Sequence, residues 1–292
     1  MCGIVGLFLK DASLEPKLGG LLAGMLGTMC DRGPDSAGFA VYAPESPQTV
    51  KLTLRGPAGF DLHALGKRLD VPYVIRDTHM VATAPAASEP ALRDHLARTA
   101  PEVTVVGAGR RMEIFKEVGR PDRVAARFGL GAMAGTHAIG HTRMATESAV
   151  TIDGAHPFTT GADQCLVHNG SLSNHNAVRR ELARDGLRFQ TENDSEVAAG
   201  YMTWRMRQGL SLRQALEKSL ADLDGFFTFV IGTESGFAVL RDPIACKPAV
   251  LAETGRYVAF GTEYRALVDL PGIEQARVWE PEPATVYAWE RH

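Results

Sequence analysis

No two cysteines in this chain stand in CxxC spacing. Its four, Cys2, Cys30, Cys165 and Cys246, lie far apart. That distribution excludes a zinc ribbon or a dithiol redox pair, and it offers no iron–sulfur ligand set. The nine histidines are scattered. His137 and His141 are four residues apart in a strand-like stretch where both face one side, and two such ligands alone make no zinc site. No run of 18 apolar residues exists, so no transmembrane helix is expected. The opening MCGIVGLFLK has one lysine and no cleavable signal pattern. Neither sign of charge is in excess: 31 Lys+Arg face 34 Asp+Glu, a net charge of −3. Nothing in that balance calls for nucleic acid or an anionic membrane surface. There is no GxxxxGK[ST] phosphate loop. Gly107-Ala108-Gly109 lacks the third glycine of a dinucleotide fingerprint and reads as a turn. Repeats and low-complexity tracts are absent too. What remains is a cytoplasmic globular chain, expected to carry neither metal nor cofactor of its own.

The 292 residues are enough for one large domain, or one with a sizeable insertion. The first nine residues read as a buried strand. Leu18, Leu21, Leu22, Met25, Leu26 and Met29 recur at helical spacing. Gly33-Pro34-Asp35 is turn chemistry, and Gly38 to Tyr42 reads as a strand. Residues 46 to about 134 read as an inserted α/β module, with helices near 62–69, 90–99 and 121–128 and strands near 72–83 and 103–107. Then come strand-like stretches over 136–144 and 164–170 and a helix over about 175–185. Asp194 is a candidate N-cap for a helix running to about 208. Ser211 with Gln214 forms a capping box for the next helix. The last 70 or so residues are rich in strands. Strands, then helices, then strands predict an α+β fold with two sheets between layers of helices, the whole of 1–292 forming one functional unit.

Cys2 stands directly after the initiator methionine. If Met1 is removed, one residue carries a nucleophilic thiol and a free α-amine whose ordinary pKa, about 8, lets it act as a base near neutral pH. A cysteine at a mature N-terminus therefore brings its own base. The other reading is an inert buried thiol. Four further motifs bear on the choice. Arg143 ends a strand and is suited to grip a carboxylate, or to pair on the surface. Asn169-Gly170 offers a side-chain amide beside a glycine N–H, two donors for an oxyanion, but it is also common turn chemistry. Asp194 can cap a helix or bind a substrate ammonium. Arg32 and Asp35 flank a tight turn and would pair with each other by default. Together these suit an α-amino acid with an acyl group on its side chain, as in glutamine.

In order along the chain, MCGIVG, RGPDSAG, GHTRMAT, HPF, VHNG, TENDSEV, RDPIACKP and AFGTE resemble the motifs of class II glutamine amidotransferases. The resemblance covers residues 1 to about 45 and about 136 to 265. It implies an N-terminal-nucleophile hydrolase fold, a four-layer αββα sandwich, here with a small α/β insertion. It implies hydrolysis of glutamine to glutamate and ammonia. Cys2 would be nucleophile and, through its α-amine, base. Asn169 and Gly170 would form the oxyanion hole, Arg143 and Thr146 would hold the substrate carboxylate, and Asp194 its ammonium. Two positions depart from the pattern. Met144 stands where many members have Trp, and Glu147 where many have His, adding a negative charge near the expected carboxylate.

The motifs reach nearly to the C-terminus and leave no room for a synthase domain, so the acceptor site is expected on another polypeptide. The chain is most similar to the separate amidotransferase subunit of N-methylglutamate synthase and glutamate-synthase-like complexes. That resemblance implies a heteromeric complex with a synthase subunit carrying FMN and an iron–sulfur cluster, and with a β-helical subunit. A catalytically silent subunit of the same fold is the alternative, which Glu147 and a retained Met1 would favour.

Overall fold

The computed structural model describes residues 2–44, 48–145 and 150–291. Met1, Thr146 and Glu147 lie outside them. The order of elements begins β1 (Gly3–Leu9), α1 (Leu18–Thr28), β2 (Ser36–Tyr42), β3 (Thr49–Arg55), α2 (Leu62–Leu69), β4 (Tyr73–Arg76), β5 (His79–Pro85), α3 (Glu89–Thr99), β6 (Thr104–Gly109), β7 (Met112–Val118), α4 (Pro121–Arg127) and β8 (His137–Arg143). It continues β9 (Phe158–Gly161), β10 (Gln164–Leu172), α5 (His175–Arg184), α6 (Asp194–Arg207), α7 (Leu212–Asp222), β11 (Gly225–Gly232), β12 (Gly236–Arg241), β13 (Val250–Glu253), β14 (Tyr257–Gly261), β15 (Arg277–Trp279) and β16 (Val286–Glu290).

The apolar run GIVGLFL explains the architecture. Every residue of β1 is buried, which requires cover on both faces of its sheet. Val5, Leu7 and Leu9 pack with Leu18, Leu22 and Leu26 of α1 and Val124 of α4. Ile4 and Phe8 point the other way, into a core shared with Val167, Val230, Phe237 and Val239 of the second sheet. The outer face of that sheet, with Leu166, Phe229 and Leu240, is closed by Leu182 of α5, Val197 of α6 and Leu216 of α7. The result is four layers, helices–sheet–sheet–helices. The first sheet has the order β15-β13-β14-β1-β8-β2-β7 and the second β16-β12-β11-β10-β9. Antiparallel sheets commonly leave one face to water. Here both are covered twice, so their strands read as continuous hydrophobic runs.

A third sheet, β4-β5-β3-β6, stands apart with α2 and α3. It has its own core of Leu52, Leu54, Leu65, Met80 and Leu96. Of the stretch 46–134 read as an insertion, only about 49–109 forms this module. The strand β7 is the edge of the seven-stranded sheet, and α4 packs beside α1. The single strand expected near 72–83 is a hairpin, turned at Asp77 with φ +52°; Asp is among the few side chains that tolerate that conformation. Gly107-Ala108-Gly109 ends β6, and the turn follows it.

The Ser211–Gln214 capping box is present in both directions, at 3.2 and 2.9 Å. At the start of α6 the cap is Asn193, whose side chain accepts from Ser195 N at 2.9 Å. Asp194, expected to cap, is the first helical residue and its carboxylate is engaged elsewhere. No helix among the described residues is long and apolar enough to cross a membrane.

Candidate active site

β1 lies between β14 and β8, with Gly3 opposite Thr142. The start of β1 therefore meets the end of β8, and Cys2 comes beside Arg143. Gly33 presses against this junction. A Cβ there would stand 2.4 Å from Thr142 C and 2.5 Å from Arg143 N, so only glycine fits. Cys2 is partly exposed, with its Sγ 4.0 Å from Met144 O. Its carbonyl oxygen accepts two bonds, from Arg32 Nε at 3.1 Å and from Asn169 Nδ2 at 3.3 Å.

The Arg32–Asp35 pairing suggested by the turn does not form. Arg32 forms its ion pair with Glu263. The Asp35 carboxylate accepts from Ala145 N at 2.8 Å, and its N–H donates to Arg143 O at 3.1 Å. One side of the turn thus anchors the thiol-bearing residue, and the other anchors the exit of β8.

Asn169 and Gly170 are not a turn. Both lie inside β10, opposite Thr228 and Phe227 of β11. Asn169 is buried, and its amide spans from the second sheet to Cys2 at the edge of the first. Gly170 has φ +155°, and a Cβ on it would lie 2.0 Å from Phe226 O. This is a backbone position open to glycine alone.

Arg143 ends β8, is buried, and pairs with Ser36 of β2 in register. Its guanidinium lies against Gly154, where a Cβ would be 3.3 Å from Nη1. The Asp194 carboxylate accepts from Leu172 N at 2.9 Å and from Ser195 Oγ at 3.3 Å. Leu172 is two residues beyond Gly170 on β10. The fold therefore gathers Cys2, Arg143, Asn169 and Gly170 and ties Asp194 to the same strand. Thr146 lies outside the described residues.

Three histidines support this arrangement and were not singled out in the sequence for that role. His168 directly precedes Asn169. Its Nδ1 is 2.9 Å from Ser195 Oγ, and its carbonyl oxygen is 3.1 Å from His141 Nε2. The His141 ring stacks on His156 with centroids 4.0 Å apart. Burial pushes the pKa of His141 down to about 3. It lowers those of His156 and His168 as well, in the latter case against the charge of Asp194. All three are uncharged at neutral pH; His141 and His168 each make a hydrogen bond through one ring nitrogen, and His156 contributes by stacking. His168 stands in the buried strand β10 directly before Asn169, and His141 in β8 two residues before Arg143, and that placement was the signal available in the sequence. Among the described residues no group of three or more His, Cys, Asp or Glu could hold a metal.

Comparison with known proteins gives the chain a family. Residues 141–269 match the model of the glutamine amidotransferase domain. The glutamine amidotransferase-like protein GlxB of Rhizobium meliloti is 60% identical over 99% of this chain and 98% of its own length. The chain belongs to the glutamine amidotransferase family. A protein of Methanothermobacter thermautotrophicus, provisionally named a glutamine amidotransferase, is 31% identical over 98% of this chain and 99% of its own length. The family fold is also met in solved structures. An allosteric regulatory enzyme of purine biosynthesis superposes with a TM-score of 0.65 at 20% identity, covering 99% of this chain and 47% of its own. The glutamine phosphoribosylpyrophosphate amidotransferase of B. subtilis gives 0.62 at 20% identity, covering 99% and 49%. The shared architecture is the four-layer αββα sandwich.

Proposed function

We propose that the chain is a glutaminase with Cys2 as its nucleophile, supplying ammonia to a partner synthase. The observation that carries this reading is the contact between Asn169 Nδ2 and the Cys2 carbonyl, at 3.3 Å, beside a Gly170 that admits no side chain. It sets a side-chain amide against the backbone of the residue that bears the thiol, and that residue has its own amine when Met1 is absent.

The reaction then runs in two halves. The α-amine of Cys2 takes the thiol proton, and the thiolate sulfur bonds to the side-chain carbonyl carbon of glutamine. The carbonyl oxygen becomes an oxyanion, held by Asn169 Nδ2 and Gly170 N–H. Collapse breaks the C–N bond, and the leaving nitrogen receives the proton from the α-amine and departs as ammonia. Water, deprotonated by the same amine, attacks the thioester and releases glutamate and the thiol. Arg143 and Thr146 hold the substrate carboxylate and Asp194 its ammonium. One oxyanion donor is worth about 10²–10³ in rate. Ammonia freed into neutral water is protonated and no longer nucleophilic, so the product is best passed directly to an acceptor site. We assign that site to a synthase subunit of the N-methylglutamate or glutamate synthase type, bearing FMN and an iron–sulfur cluster, within a complex that includes a β-helical subunit.

Mass analysis of the N-terminus, coupled to an ammonia-release assay on the assembled complex, tests the reading. Cys2 as the first residue together with ammonia release is expected. Retained Met1 with no release would favour a silent subunit.

A further inference from the structure

A cavity of about 480 Å³ lies between the inserted sheet and the sandwich, away from Cys2. One wall is β6, the outer strand of the inserted sheet; β9, the outer strand of the five-stranded sheet, forms the other. Lys116 of β7 borders it and is only 8% exposed. Its ammonium donates to Ala155 O at 3.0 Å and to Asp153 O at 3.3 Å, and it lies 4.8 Å over the Phe158 ring. The carboxylates around the cavity are committed elsewhere. Glu89 binds Arg93 at 2.9 Å and Asp153 binds Arg55 at 2.8 Å. Glu196 accepts from Gln190 N, Thr191 N and Thr191 Oγ1, each at 2.7 Å. Two more cations, Arg188 and Arg207, line the cavity and are exposed.

A buried ammonium that has given up water for two carbonyls is under-compensated. Burial lowers the pKa of Lys116 to about 8, outweighing the nearby Asp153 and Glu196. An anion in the cavity would supply the missing charge at the floor and meet the arginines at the mouth. We propose that this cavity binds a small dianion, a dicarboxylate or a phosphate, with Lys116 as counter-ion at its floor and Arg188 and Arg207 at its rim. The site is separate from the glutamine chemistry and stands or falls without it.

Calorimetric titration of the full chain with succinate and, separately, with inorganic phosphate, at constant ionic strength, tests the assignment. One of the two should bind saturably at a single site, and which one identifies the anion class. Loss of a charge-assisted hydrogen bond predicts at least about tenfold weaker binding in Lys116→Met. Should that variant not fold, the exposed double substitution Arg188→Ser/Arg207→Ser decides in its place, with the same expected loss. Absence of saturation with both probes, or unchanged affinity in the deciding variant, would overturn the proposal.

Discussion

The side-chain amide of Asn169 donates to the main-chain carbonyl of Cys2 at 3.3 Å, linking strand β10 of one sheet to the start of β1 in the other. The same carbonyl accepts from Arg32, whose own charge is matched by Glu263. The residue that carries the thiol is thus fixed from both sides through its backbone, which leaves its side chain available for chemistry.

Gly170→Ala is expected to damage both fold and function. Its Cβ would collide with Phe226 O at 2.0 Å, in a backbone conformation that L side chains rarely adopt. Strain of about 1–3 kcal/mol is typical of such positions before any clash is counted. Thermal denaturation should show a lowered melting temperature and the assay a loss of glutaminase activity. A variant with unchanged melting and rate would mean that β10 is not held as described.

Ser195→Ala removes a hydroxyl that stands between His168 Nδ1, at 2.9 Å, and the Asp194 carboxylate, at 3.3 Å. Leaving the buried His168 nitrogen without a partner costs about 1–3 kcal/mol. With Asp194 less firmly held, the KM for glutamine should rise more than kcat falls. Steady-state kinetics with glutamine separates the two; a change in kcat alone would argue against Asp194 as the ammonium anchor.

Much of this was legible from residue patterns, and the failures share a cause. The run GIVGLFL and the Ser211–Gln214 pair are local signals, and both give the elements observed. Asn169-Gly170 was equally visible, but whether it was turn or strand depended on pairing with β11. Arg32 finds its acid at Glu263, on the far side of the sequence, instead of at Asp35 nearby. At the start of α6 two adjacent residues were each able to cap, and the choice fell to Asn193 because Asp194 is drawn to Leu172 N. The strand β7 went unread because its pattern is not a clean alternation: Lys116 is buried there against the cavity, among Ile114 and Phe115. Local propensity was readable, while long-range partners and the burial of charge were not.

Acid should unfold the protein through its buried histidines. Burial lowers His79, His137 and His141 to about 3, against about 6.5 in an unfolded chain. Each is neutral in the fold, so its contribution is fully present above pH 6.5 and is lost as pH falls toward 3. His156 and His168 are lowered as well, so between those limits the unfolded state binds more protons than the fold and stability falls as pH falls. Urea unfolding at pH 7, 6 and 5 should show this decline, and His137→Gln should make it shallower. Stability independent of pH over that range would contradict the burial of these rings.

The central claim is that Cys2 cleaves glutamine. It is tested most directly by measuring glutamine-dependent and ammonium-dependent synthesis side by side, with the proposed synthase partner present, for the wild type and for Cys2→Ala. The account predicts that the substitution abolishes the glutamine-dependent reaction and leaves the ammonium-dependent one. Glutamine-dependent activity that survives in Cys2→Ala, or equal loss of both reactions, would contradict it.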